Sequence, residues 1–269
     1  MSLATVRIVL VEPAGPLNVG SVARVMKNMG LRNLVLVNPQ CDPLGEEARL
    51  MAVHGADILE AVQVVESLPA ALTGCQRAIA TTARVRALPT PLETPRTALP
   101  WLLEESVTSA LIFGPEDRGL SNLELNYAQR FVGIPSSGEY PVLNLAQAVA
   151  VCCYELYQIA QSPFAVEREN LLPSRDATPC SDTTQAIDAA PLNVVEGYYK
   201  HLEDLLLKIG YLYPHTAKAR MEKLRRLYNR AAPTTEEVTM LRGILSQMEW
   251  ALQFLPKSMS DDQSDSQES

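Results

Sequence analysis

Three short segments carry the polar residues of this chain that could act together. The first is Asn18-Val19-Gly20-Ser21-Val22-Ala23-Arg24, the second Phe113-Gly114-Pro115-Glu116-Asp117-Arg118-Gly119-Leu120-Ser121, and the third Leu143-Asn144-Leu145-Ala146. Each lies where an apolar run gives way to a loop or helix, which is where open α/β sheets place their chemistry. Asn18, Arg24, Glu116 and Asn144 supply two carboxamides, a guanidinium and a carboxylate, a set suited to holding and polarising a reactant. Gly114 and Gly119 allow close approach of backbone amides to a ligand. Taken singly, each residue has a plainer reading: Asn18 and Asn144 as helix caps, Glu116 as a solvated loop acid. The chain has no Ser-His-Asp order, H-E-x-x-H pair, phosphate-loop lysine or G-x-G-x-x-G turn. His54, His201 and His215 are scattered without ligand spacing, and no metal site is expected.

Positioning these residues calls for a layered frame. Apolar runs at Val6–Val11, Asn33–Val37, Arg77–Thr81, Ala110–Phe113 and Phe131–Ile134 read as buried strands. Segments of helical period, such as Ser21 to Met29 and Leu68 to Leu72, lie between them. The alternation predicts an α/β fold with a mostly parallel sheet flanked by helices. Helix starts are marked by Ser121-x-x-Glu124, by Thr94-Pro95 and by Asn144 with Gln147 three residues on. These elements make a first domain over 1–161. Residues 162–191 lose periodicity among Ser, Thr and Pro and read as a linker. Three helices follow within 192–256, running from Leu192 to Ile209, from Thr216 to Ala231 and from Thr234 to about Phe254. Residues 257–269 are an acidic, Ser- and Gln-rich tail with the composition of disorder.

The net charge of −8 does not advertise a nucleic-acid partner. Its distribution answers that objection, because the tail holds Asp261, Asp262, Asp265 and Glu268. Between Thr216 and Arg230, Lys218, Arg220, Lys223, Arg225, Arg226 and Arg230 face only Glu222. With a Debye length of ~8 Å at physiological salt, local patches outweigh the total. Five cysteines, an odd number without C-x-x-C spacing, point to a reduced, cytoplasmic protein. No apolar run reaches the ~20 residues of a membrane span, and Met1–Arg7 lacks a secretory signal's basic start.

The three segments, in this order, resemble the SPOUT superfamily of S-adenosylmethionine-dependent RNA methyltransferases, in its SpoU–TrmH branch of ribose 2′-O-methylators. The resemblance spans roughly the first 160 residues. Farther on, Tyr198–Glu203, Lys223–Tyr228 and Leu241–Leu245 are similar to the helical extension of a tRNA-methylating group in that branch. That group acts on cytidine or uridine 32 of the anticodon loop. The resemblance implies a trefoil knot closing the first domain, a homodimer, S-adenosylmethionine as cofactor and tRNA as partner.

It also assigns roles. Arg24 would help activate the 2′-hydroxyl, with Asn18, Glu116 and Asn144 beside it. Arginine keeps its proton above pH ~12, so an electrostatic role suits Arg24 better than that of a base. Glu116 would either orient Arg24 or hold backbone amides. Thr81, Thr82, Ala83, Gly114, Ile134, Pro141, Val142 and Leu143 would line the cofactor. Arg84, Arg86, Lys223, Arg225 and Arg226 would meet RNA. Many relatives carry Ser where Val142 stands, so this chain lacks that hydroxyl. Two alternatives stay open at this point: the same reaction on another RNA such as rRNA, and a catalytically silent RNA-binding protein.

Overall fold

The computed structural model describes residues 2–83, 92–104, 107–162 and 189–254. Arg84 and Arg86, most of the expected linker and the acidic tail lie outside the described residues.

Six strands form one sheet: β1 (Val6–Val11), β2 (Asn33–Val37), β3 (Gln63–Val65), β4 (Arg77–Thr81), β5 (Ser109–Phe113) and β6 (Arg130–Val132). Their order is β3-β2-β1-β5-β4-β6, and every pairing is parallel. A parallel sheet must be covered on both faces, which is why β1, β2 and β5 read as nearly continuous apolar runs. Along β1 the side chains alternate between two cores. Val6, Ile8 and Leu10 join α1 (Pro16–Asn28) and α7 (Leu145–Gln161) on one face. Val9 and Val11 join α4 (Leu68–Ala71) and α6 (Asn122–Leu125) on the other. Two further short helices, α2 (Glu46–Ala52) and α3 (Ala56–Glu60), pack on α1. A Cβ at Gly20 would stand 2.2 Å from the Ala48 carbonyl oxygen of α2, so this helix crossing needs glycine.

Because β2 and β3 lie to one side of β1 while β5 lies to the other, the order reverses beside β1. The loops at the carboxyl ends of β1 and β5 therefore start on neighbouring strands, where such sheets place their chemistry. Helix caps fix the directions of the segments around them. α6 and α7 begin with the expected boxes at Ser121 and Asn144, and α5 (Pro95–Ala98) begins at the expected Thr94 cap, which forms a box with Thr97. Two expectations need correcting. α1 starts at Pro16 with Gly15 as its cap, two residues before Asn18, so Asn18 is not a cap. The last strand stops at Val132, leaving Ile134 in a loop. β3 was not expected.

The C-terminal helices are α8 (Leu192–Lys208), α9 (Pro214–Ala231) and α10 (Thr235–Leu252). They share a separate core of Tyr198, Tyr199, Leu202, Leu205, Met221, Val238 and Leu245. Main-chain and side-chain bonds dock this unit on the sheet domain. Leu192 N–H donates to the Cys75 carbonyl at 2.8 Å, and Gly74 N–H donates to Asn193 Oδ1 at 3.1 Å. Asn229 Nδ2 donates to the Asn126 carbonyl at 3.0 Å. No helix among the described residues is long and apolar enough to cross a membrane.

Candidate active site

A cavity of ≈ 190 Å³ opens at the carboxyl ends of β4, β5 and β6. Its wall contains Thr81, Thr82, Ala83, Gly114, Ile134, Pro141, Val142 and Leu143. All eight residues expected to line a cofactor thus surround one space. Phe113, Val132, Leu145 and Ala148 add apolar floor, while Glu116, Asp117 and Arg118 give one side a polar edge.

The 114–121 loop owes its shape to its glycines. A Cβ on Gly114 would lie 2.3 Å from the Leu120 amide nitrogen, and Gly119 has φ +65°. Gly114 is thus required by the loop folding back on itself, rather than by a ligand alone.

Of the four polar candidates, three form a chain of hydrogen bonds. Glu116 Oε1 accepts from Asn18 Nδ2 at 2.7 Å and from the Gly15 amide at 3.3 Å, and Oε2 accepts from the Ala14 amide at 3.2 Å. Asn144 Nδ2 then donates to Asn18 Oδ1 at 3.0 Å. The remaining oxygen of Asn144 caps α7 by accepting from the Ala146 amide at 2.9 Å. Because Asn18 sits inside the first turn of α1, both ends of its carboxamide are free to join the other two loops. The cap reading fits Asn144 and fails for Asn18.

Arg24 is not part of this chain. It lies six residues beyond Asn18, about 9 Å farther along the helix axis. It is exposed, and among the described residues it has no ion pair or side-chain hydrogen bond. Glu116 therefore holds backbone amides and Asn18; it does not orient Arg24.

Sequence reasoning passed over Arg118 and Glu12. Arg118 donates to Glu12 Oε2 at 2.7 Å and to both oxygens of Glu124 at 2.9 and 3.0 Å. Glu12 belongs to the turn after β1 and has φ +46°, a left-handed conformation unfavourable for a non-glycine residue. Burial works against ionisation of Glu124. Hydrogen bonds from Arg118 and from Ser121 nevertheless hold its carboxyl below the usual carboxylate range. Cys41 sits close enough to feel the site: burial, then the charges of Glu116 and Asp42, push its thiol up. Its environment thus disfavours the nucleophilic thiolate. Among the described residues no cluster of His, Cys, Asp and Glu could hold a metal ion.

In the helical unit the expected RNA contacts separate. Lys223 is exposed, and Arg226 is half-buried on the same turn. Arg225 faces inward instead. It forms a two-pronged ion pair with Glu196, at 2.6 Å for Nη2–Oε1, and its guanidinium lies 4.7 Å from the Tyr199 ring and 5.7 Å from that of Tyr127. With its side chain 14% exposed, Arg225 directs both Nη1 and Nη2 to Glu196.

Comparison with known proteins bears on this arrangement. Residues 5–154 match the SpoU rRNA Methylase family. Residues 193–263 match the C-terminal domain of tRNA methyltransferase TrmJ. The chain is 40% identical over 263 residues to the tRNA (cytidine/uridine/adenosine-2'-O-)-methyltransferase TrmJ of Pseudomonas aeruginosa, covering 97% of this chain and 100% of that one. It is 38% identical over 255 residues to the tRNA (cytidine/uridine-2'-O-)-methyltransferase TrmJ of Cronobacter sakazakii, covering 92% and 97%. The crystal structure of TrmJ from Z. mobilis is similar at a TM-score of 0.76 and 29% identity, over 90% of this chain and 98% of that one. With its site at the carboxyl edge of a parallel sheet and its matched helical extension, this chain belongs to the SpoU methylase family, in the TrmJ group.

Proposed function

We propose that this chain transfers a methyl group from S-adenosylmethionine to a ribose 2′-oxygen of tRNA, at cytidine or uridine 32 of the anticodon loop. The relatives' names and full-length coverage support the tRNA substrate. The observation that carries the reading is the Asn144–Asn18–Glu116 chain, which ties three loops together beside the cavity.

The residues present fit the donor. Val132, Ile134, Leu143 and Leu145 offer apolar wall for an adenine, and the Glu116 and Asp117 carboxylates that also line the cavity suit a cation. When bound, the donor supplies a methyl on a sulfonium whose thioether leaves without needing a proton. The chain's part is alignment, exclusion of water and help with the hydroxyl proton. Glu116 accepts three hydrogen bonds and holds the β1 loop in place. Asn18, fixed at both ends of its carboxamide, sets the spacing between that loop and the turn before α7. Arg24 stabilises the developing alkoxide and positions the adjacent phosphate.

The distance of Arg24 from Glu116 favours a homodimer in which Arg24 serves the partner's cavity. Exposed Leu17 on α1 and Val151 and Tyr154 on α7 give that helix layer an apolar surface to bury. The trefoil threading implied for the β6–α7 segment belongs to the same reading. Residues 1–161 then act as the cytoplasmic enzyme's catalytic domain, with 162–191 as linker and 257–269 as acidic tail. The unit within 192–256 grips tRNA through Lys223 and Arg226 on its outer face. Arg84 and Arg86 would add contacts.

The test is incubation of purified protein with donor and unmodified tRNA transcript, followed by mass spectrometry of nuclease digests. One 2′-O-methyl at nucleotide 32 is the expected product. Methylation elsewhere, or of rRNA alone, would overturn the assignment. An unmodified transcript together with no heat of donor binding would favour a silent RNA-binding role.

A further inference from the structure

The loops after β1 and β5 are joined by two crossed ties. In one, Glu116 of the β5 loop takes the Ala14 and Gly15 amides of the β1 loop and Nδ2 of Asn18 in the first turn of α1. In the other, the donor and acceptor sides exchange: Glu12 of the β1 loop takes Arg118 Nη2 of the β5 loop at 2.7 Å. Arg118 does not stop there. Its fork also spans both oxygens of Glu124, donates to the Gly119 carbonyl at 3.0 Å and forms part of the cavity wall. Glu124 in turn receives the Ser121 amide at 2.6 Å, closing the capping box that starts α6. One guanidinium therefore links the turn that precedes Asn18, the loop that carries Glu116 and the helix that follows.

Arg118 is 39% exposed and Glu12 37%. Ion pairs this open to solvent contribute little to overall stability. What the pair fixes is direction. Glu12 is the non-glycine residue at φ +46°, and its amide already donates to the Val37 carbonyl at 2.8 Å, extending the sheet's ladder. A backbone held in a disfavoured region persists when several contacts over-determine it. Here the contacts are that amide on one side and Arg118 on the other. If the side-chain contact is lost, the turn can relax and carry Ala14, Gly15 and Asn18 away from Glu116.

We propose that Arg118 is a positioning residue for methyl transfer, acting through Glu12 to hold Asn18 against Glu116. This rests on the methyl-transfer reading above. The planar guanidinium meets Glu12 and both oxygens of Glu124 from two separate nitrogens, whereas a lysine would have to meet all three from one. The tie affects the aligned state of the site and leaves the fold untouched.

The experiment is a cycle of Arg118→Met, Glu12→Met and the double variant in the full-length chain. It measures kcat and KM for tRNA, donor affinity by calorimetry and the thermal midpoint. Each single change should lower kcat about ten- to hundredfold, as small misalignments at a reacting centre do. KM for tRNA and donor affinity should stay near wild type, as should the midpoint of the Glu12 variant, which keeps the Arg118–Glu124 pair. The double variant should be no slower than Arg118→Met alone, because both remove one tie. Arg118→Lys should recover less than half of the lost kcat. The proposal is overturned by unchanged kcat in the single variants, by losses that multiply in the double variant, or by full recovery with lysine. A wild-type protein that binds no donor and methylates no tRNA would instead sink the underlying reading, which separates the two failures.

Discussion

Glu116 accepts hydrogen bonds from two backbone amides and one carboxamide, so its part is to fix geometry. Glu116→Gln keeps the shape but presents an NH2 group where donors already point. Hydrogen bonds to a charged group are worth about 1.5–3 kcal/mol each, so kcat should fall at least about tenfold. Methylation assays on a variant with unchanged circular dichroism check this. Arg24→Ala should abolish methylation and leave donor affinity within about twofold by calorimetry, since Arg24 does not line the cavity; a large loss of donor affinity would reassign it. The types of these residues were legible in the sequence, and the roles of two were not. Asn18 reads as a helix cap until Pro16 is seen to begin the helix. The tie from Glu12 to Arg118 crosses 106 residues, and no local pattern signals such a contact.

At the scale of elements, α6 is four residues long, and its start depends on Ser121 and Glu124. The carboxyl of Glu124 is held below its ordinary range in the folded chain. Its stabilising contribution is therefore present above the unfolded carboxylate pKa of about 4.3 and is lost as pH falls through the lower, folded value. Acid unfolding curves should show Glu124→Gln losing less stability than wild type over that interval. Helix α9 yields a second prediction. Arg225→Met strips Glu196 of its half-buried partner and should cost about 2 kcal/mol, read as a lower thermal midpoint, with the salt dependence of tRNA binding unchanged. Arg225 shares a row with Ala217 and Met221, four residues apart, which face the helical core. Counting that period along the basic segment would have turned it inward from sequence alone. β1, β2 and β4 were legible to the residue because strands buried on both faces leave mostly apolar runs. β3 was not, because Gln63 and Val64 are exposed at the sheet's edge and break the pattern.

For the molecule as a whole, a net charge of −8 coexists with a cationic outer face on α9. Lys223→Gln with Arg226→Gln should weaken tRNA binding at low salt and reduce the slope of log affinity against log salt by about 1.5. Filter binding across a salt series measures it, and an unchanged slope would move the tRNA elsewhere. The same scale has a consequence for how the protein comes into being. Asn18 meets Glu116 across 98 residues and Asn144 across 126. A ribosome must therefore release nearly the whole first domain before any pocket exists, and a fragment ending at Val132 should show no heat of binding with the methyl donor. The donor then recognises only finished chains, and at saturating concentration it shifts the population toward them by mass action.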